Sequence, residues 1–297
     1  GKWHLGGQRD VADAPPIADY GFDASLTNFE GMGPKLLPLT RTPDAAEFRK
    51  IWADAERLGG PVTWMDRAQI TTGYADAALR FIDEAVARKK PFYVNLWPDD
   101  VHTPWVPDEH SGKGDTPANF RPVLIEMDRQ IGRLMDGLKR LGIDEKTLVI
   151  FASDNGALPT FRGARSGGFR GSKLSLYEGG IRLPLIARWP GHVGPNRVDT
   201  STVFAAVDVL PSLCVLAHAS LPTDAALDGR DLSAALLGRS VGPRAQPLFW
   251  EYGRNATAFN YPAGRDRSPN LAVRDGKWKL LVNDDGAGAE LYNLEQD

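Results

Sequence analysis

The fold turns on three adjacent stretches: TLVIFASDNG at 147–156, RGARSGGFRGSKLSLYEGG at 162–180 and LPLIARWP at 183–190. The first and last are short continuous apolar runs, the pattern of strands covered on both faces. The first ends in Ser153-Asp154-Asn155-Gly156. In open α/β sheets ligands bind beyond the carboxyl ends of strands, so an Asp-Asn pair is well placed there. Asp154 offers a carboxylate and Asn155 an amide carbonyl, the oxygen donors that calcium or magnesium prefer. Asn-Gly also makes an ordinary turn, and that reading stays open. Lys173 lies in the Gly-rich segment, where backbone can approach a ligand closely; a solvated loop lysine is the alternative. Glu178-Gly179-Gly180 reads as loop-shaping. Gly168-Phe169-Arg170-Gly171 lacks the GK[ST] ending of a phosphate loop.

Upstream, PVLIEMDRQIGRLMDGLKRLG (122–142) is an amphipathic helix with Ile125, Ile131, Leu134, Leu138 and Leu141 near one stripe and Gly142 as its stop. PFYVNLWP (91–98) reads as a buried strand feeding the loop DDVHTPWVPDEH. There Pro104 stiffens the segment carrying His102, although a lone loop histidine is commonly a surface residue. Two earlier helices are predicted, over AEFRKIWADAERLG (46–59) and WMDRAQITTGYADAALRFIDEAVARK (64–89), after a long loop at 5–42. If GKWHL at the start is extended, Lys2 and His4 share one face and Trp3 the other. An ammonium beside an imidazole suits an oxyanion with a nearby proton transfer; two solvated side chains on a frayed end are the alternative.

Downstream, VFAAVDVLPSLCVLAH (203–218) is predicted as a helix broken near Pro211. From about 246, LFWEYG, LAVRDGKWKLLVN and ELYNL read as short antiparallel strands. The result is an α/β domain over 1–245 and a small C-terminal β or α+β subdomain over 246–297.

The net charge of -3 gives no basic field for nucleic acid or an anionic membrane. No apolar run is long enough to span a bilayer, and GKWHLGGQRD lacks the apolar stretch of a signal peptide. The single Cys214 excludes an intramolecular disulfide and a cysteine zinc site. Its apolar setting, SLCVLAH, suits an inert buried thiol. His110, His192 and His218 have no companion at metal-ligand spacing, and Asn255-Ala256-Thr257 fits a glycosylation acceptor.

The order of segments says more than any one of them. GKWHLG, DDVHTP, MDRQIGRLMDGLKRLGIDEKTLVIFASDNG, FRGSKLSLYEGGIRLPLIARWPG, DVLPSLCVLAHASLP, DGRDLSAALLG and ELYNLEQD together resemble the sulfatase family of the alkaline-phosphatase superfamily, in particular arylsulfatases and N-acetylgalactosamine-6-sulfatases. The resemblance implies a three-layer α/β/α sandwich with a small C-terminal antiparallel subdomain. It implies that Lys2 contacts the sulfate and the nucleophile, and that His4 deprotonates the covalent hemiacetal so that sulfate leaves. His102 would contact the sulfate and protonate the leaving alcohol, and Lys173 would bind the sulfate and the bridging oxygen. Asp154 and Asn155 would ligate one Ca2+.

The C/S-x-P-S-R motif that yields the family's formylglycine does not occur, nor do its paired metal-binding aspartates near the start. Asp99-Asp100 is adjacent but follows a different strand, so it is not a candidate. The chain is therefore expected to be N-terminally truncated, incomplete at its C-terminal end, and inactive alone. The resemblance implies a small-molecule or glycan sulfate ester as substrate, with LWPDDVHTPWVP resembling enzymes for sulfated carbohydrates, and a periplasmic, secreted or lysosomal location. The alternatives are a phosphodiester or phosphonate monoester hydrolase of the same superfamily, and a catalytically inactive relative that retains the fold.

Overall fold

The computed structural model describes residues 1–3, 15–28, 33–40, 48–103, 105, 116–224, 226–252 and 264–297. His4, His110 and the 255–257 sequon lie outside the described residues. The chain divides into two compact units, Gly1–Asp144 and Glu145–Asp297.

In the first unit β1 (Lys35–Thr40) pairs in parallel with β3 (Val62–Asp66) and antiparallel with β2 (Arg49–Lys50). Alternation along β1 sends Leu36 to one face, against Ile70 and Tyr74, and Leu37 to the other, against Ala55 and Leu58. This strand lies inside the stretch predicted as loop. The expected helix over 46–59 is instead β2 followed by a 3-10 helix, Ala53–Leu58, entered through a left-handed Trp52 (φ 56). Gly59 (φ 75) ends that turn, as its placement predicted.

The next helix, α1 (Ile70–Ala87), starts six residues later than predicted, because Trp64–Asp66 belong to β3. The Asp66 carboxylate accepts from the Ala68 amide and opens the 3-10 turn leading into the helix. α2 (Pro117–Arg140) begins at a Thr116 cap, with Pro117 in the first turn where its missing N–H costs nothing. Its inward face is Asn119, Val123, Gln130, Gly137 and Leu138, whereas Ile125 of the predicted stripe is 59% exposed. Gly137 packs on Leu79, and the Gln130 amide donates to Thr72 of α1 at 2.6 Å. PFYVNLWP forms no strand: Tyr93 is exposed, and the segment meets its neighbours through a Lys2 N–H to Trp97 C=O bond of 3.3 Å, the Trp97 ring stacked on Trp3, and Leu96 packed on the Leu36 cluster.

In the second unit β4 (Val149–Ala152) pairs antiparallel with β5 (Leu185–Arg188). The predicted coverage of both faces is not found, since this sheet has two strands and Ile186 is 59% exposed. α3 (Glu178–Ile181) leads into β5. α4 (Val209–Leu216) runs unbroken past Pro211, which occupies the first turn, where no intrahelical N–H bond is lost. α5 (Ser233–Leu236) follows.

The Asp208 carboxylate, before α4, accepts two bonds from Arg244 at 2.7 and 2.9 Å and further bonds from the amides of Ala205 and Arg230. The predicted C-terminal strands are present as a meander, β6 (Leu248–Glu251), β7 (Leu271–Asp275), β8 (Trp278–Val282) and β9 (Glu290–Asn293). Cross-strand neighbours Trp250, Ala272 and Leu281 turn inward onto Leu176 and Tyr177. Among the described residues no helix is long and apolar enough to cross a membrane.

Candidate active site

The candidate residues fall into two groups, one in each unit. In the first unit the Lys2 amide donates to the Trp97 carbonyl, which sets the GKW segment beside the chain that runs on into Asp99–His102. Lys2 and His102 are both half-buried. The His102 amide donates to the Asp99 carbonyl at 2.9 Å and closes a turn. The His102 Nδ1 lies 2.7 Å from the Thr103 carbonyl. A carbonyl can only accept, so Nδ1 carries the hydrogen of this contact. The Trp52 indole meets the imidazole edge-on, with centroids 6.5 Å apart.

Beneath this turn lies a polar network that sequence reasoning passed over. The Arg67 guanidinium donates to Asp99 Oδ1 at 3.0 Å, to the Asp99 carbonyl at 2.5 Å and to the His102 carbonyl at 3.0 Å. Asn28 Nδ2 donates to the other Asp99 oxygen at 2.5 Å. The Arg67 and Asp99 side chains are 2% and 3% exposed. Asp100 is also buried, against the Thr71 hydroxyl, and burial pushes its carboxyl above the usual range more than that bond pulls it down. Two acids in a row just before a histidine were the visible signal. Their cation, 32 residues earlier, had none.

In the second unit the strand-exit turn and the Gly-rich loop are one construction. The Lys173 amide donates to the Ala157 carbonyl at 2.8 Å, and the Gly156 amide to the Gly180 carbonyl at 2.8 Å. Gly156 sits so close that a Cβ there would collide with the Gly179 carbonyl oxygen. The structure thus brings the backbone of Lys173 against the turn that carries Asp154 and Asn155. Asp154 is exposed and Asn155 half-buried. The Asn155 amide nitrogen donates to the Gly156 carbonyl at 2.9 Å, so its carbonyl oxygen is the atom left to ligate.

These two oxygen donors suit a hard cation as part of a coordination shell. Among the described residues no third carboxylate, histidine or cysteine completes a metal cluster. His192 and His218 join no such cluster either.

The Gly-rich loop is tied down from its far side. Glu178 forms an ion pair of 2.8 Å with Lys279, whose side chain is 2% exposed, and burial holds that ammonium below its usual pKa. Arg170 stacks over the Tyr177 ring at 3.8 Å and pairs with Glu290 at 3.1 Å. The Tyr177 hydroxyl donates to the same carboxylate at 2.9 Å. Burial raises the Glu290 carboxyl, but donation from Tyr292 and Tyr177 and the charge of Arg170 outweigh it and leave the group below its usual range. Glu178-Gly179-Gly180, read from the sequence as loop-shaping, form the first turn of α3, and the Lys279 pair anchors that turn.

The chain was compared with known proteins. It is 38% identical to arylsulfatase A of Homo sapiens over 296 residues, covering 94% of this chain and 54% of that protein. It is 30% identical to N-acetylgalactosamine-6-O-sulfatase of Bacteroides thetaiotaomicron over 216 residues, covering 69% and 39%. The chain spans about half the length of arylsulfatase A.

Among solved structures, Ps i-CgsB in complex with k-i-k-neocarrahexaose matches with a TM-score of 0.63 and 25% identity, over 77% of this chain and 49% of that one. A protein of a Bacteroides thetaiotaomicron locus for metabolism of multiple glycosaminoglycans matches with a TM-score of 0.60 and 27% identity, over 79% and 50%. The fold is accordingly the alkaline-phosphatase-like α/β fold with a C-terminal antiparallel sheet. A model of the C-terminal region of N-sulphoglucosamine sulphohydrolase matches residues 169–297, and the sulfatase family model matches residues 2–219. With most of its length under that second match, the chain belongs to the sulfatase family.

Proposed function

We propose that the full-length gene product containing residues 1–297 hydrolyses a sulfate ester of a carbohydrate, with a formylglycine nucleophile contributed from outside this chain. The observation that carries the reading is the joint construction of the Asp-Asn turn and the Lys173 loop, sealed by Gly156 against Gly179 and Gly180. A sulfate ester spreads negative charge over its oxygens, and cations aimed at them stabilise its cleavage. Lys2 and Lys173 are compact point charges for that purpose. His102, as an imidazolium whose Nδ1–H stays on the Thr103 carbonyl, gives its Nε2 proton to the leaving oxygen as the bond to sulfur breaks, which an alkoxide leaving group requires. His4 moves the proton that frees sulfate in the second half of the cycle. Asp154 and Asn155 would contribute two oxygen ligands to a calcium ion, which would supply positive charge for stabilising the sulfate.

The sugar preference is supported by the neighbours, one of which was solved with a neocarrahexaose bound. We also place the boundary between the catalytic domain and the C-terminal subdomain near 245/246, just before the meander begins at Leu248. The test is sulfate release from a sulfated sugar beside phosphonate monoester cleavage by the same preparation. Turnover of the sulfate ester at least about 100-fold faster is expected. Faster phosphonate cleavage would move the chain to the phosphonate monoester reading, and turnover of neither would leave an inactive relative.

A further inference from the structure

We infer that Arg67, backed by Asp99 and Asn28, is a positioning residue for His102. What His102 does rests on the sulfatase reading above; how it is held does not. One guanidinium reaches the carbonyls of Asp99 and His102, the two ends of the turn that the His102 amide closes. Its other nitrogen is anchored by the Asp99 carboxylate, and Asn28 holds that carboxylate from the far side. The imidazole is then turned by the Nδ1 bond to the next carbonyl, that of Thr103. Backbone and ring of His102 are thus each specified, and Nε2 has one direction to face.

A planar fork satisfies three acceptors together; an ammonium on a flexible stem does not reproduce that geometry. Stability alone explains such a group poorly, because a buried ion pair is often no better than well-packed apolar residues. Here one of the three bonds ends on the carbonyl of the histidine itself, which ties the network to the chemistry. Arg67 touches no substrate in this account; it acts through His102.

Two readouts separate this role from the sulfatase reading. The first is the 15N shifts of the His102 ring in the full-length protein. At a pH high enough for the ring to be neutral, wild type should show a protonated Nδ1 and an unprotonated Nε2, and Arg67→Met should give the averaged pattern of two exchanging tautomers. The second compares an alkyl sulfate with 4-nitrophenyl sulfate, whose leaving group needs no proton. Arg67→Met should lower kcat on the alkyl ester by about 10–100-fold, as a small displacement of a catalytic group does. It should change the nitrophenyl ester by no more than about threefold, because that leaving group needs no proton. Should Arg67→Met fail to fold, Arg67→Lys and Asn28→Ala are expected to show the same asymmetry in weaker form.

Equal losses on both esters, or unchanged ring shifts, would overturn the positioning role. If wild type releases sulfate from neither ester, the sulfatase reading falls and the ring shifts alone decide the inference.

Discussion

Asp100 and Asp208 are both buried, and their carboxyls move in opposite directions. Asp100 has the Thr71 hydroxyl as its side-chain partner, and burial raises its folded pKa above the unfolded value. Stability from such a group is present below the unfolded pKa and is lost as pH rises through the folded one. Asp100→Asn should therefore raise the thermal midpoint at pH 7, within the ~0.5–2 kcal/mol range of stabilising substitutions, and the gain should vanish at acid pH. Asp208 is the reverse case: burial raises its carboxyl, but Arg244 and the amides of Arg230 and Ala205 outweigh that and depress it. Its contribution is present above the unfolded value and lost as pH falls through the folded one. Asp208→Ala at pH 7 leaves Arg244 buried without a counter-charge and should cost about 3–5 kcal/mol in denaturant unfolding. At this scale Lys2, His102, Lys173, Asp154 and Asn155 could be named as candidates because each sits in a short motif. Arg67 could not, because its partners are joined to it only by the fold.

At the scale of elements, the turn at 153–157 and the loop at 166–180 act as one piece. A Cβ at Gly180 would meet Ser172 O at 2.6 Å and Ser175 O closer still. Gly180→Ala should push the loop off the turn, costing about 1–3 kcal/mol and weakening calcium binding by the full-length product, measurable by titration calorimetry. Thr116 at the start of α2 accepts from the Asn119 amide at 3.2 Å, and Thr116→Ala should cost about 1 kcal/mol of thermal stability. Here the sequence was a mixed guide. The C-terminal meander was readable because Asp275-Gly276 and alternating apolar residues fix both turn and register. PFYVNLWP has the composition of a strand, but composition does not supply the neighbouring backbone that makes a ladder. Trp64–Asp66 look helical until β1 offers them a parallel partner.

At the scale of the molecule, the first unit carries Lys2 and His102, and the second carries the Asp-Asn turn and Lys173. The sulfatase reading assigns each set a role in releasing sulfate. Calcium at roughly 100 times its dissociation constant should stabilise the full-length product by about 2.7 kcal/mol, and Asp154→Ala should remove most of that increment. Family membership was legible from the order of motifs, which survives insertion and drift better than any single spacing. The central claim is tested most directly by kcat/KM for sulfate release with Lys2→Ala, Lys173→Ala and the double variant. Each single change should cost at least about 100-fold, and the double should cost less than the product, as groups acting on one transition state do. Either single variant turning over at the wild-type rate would contradict it.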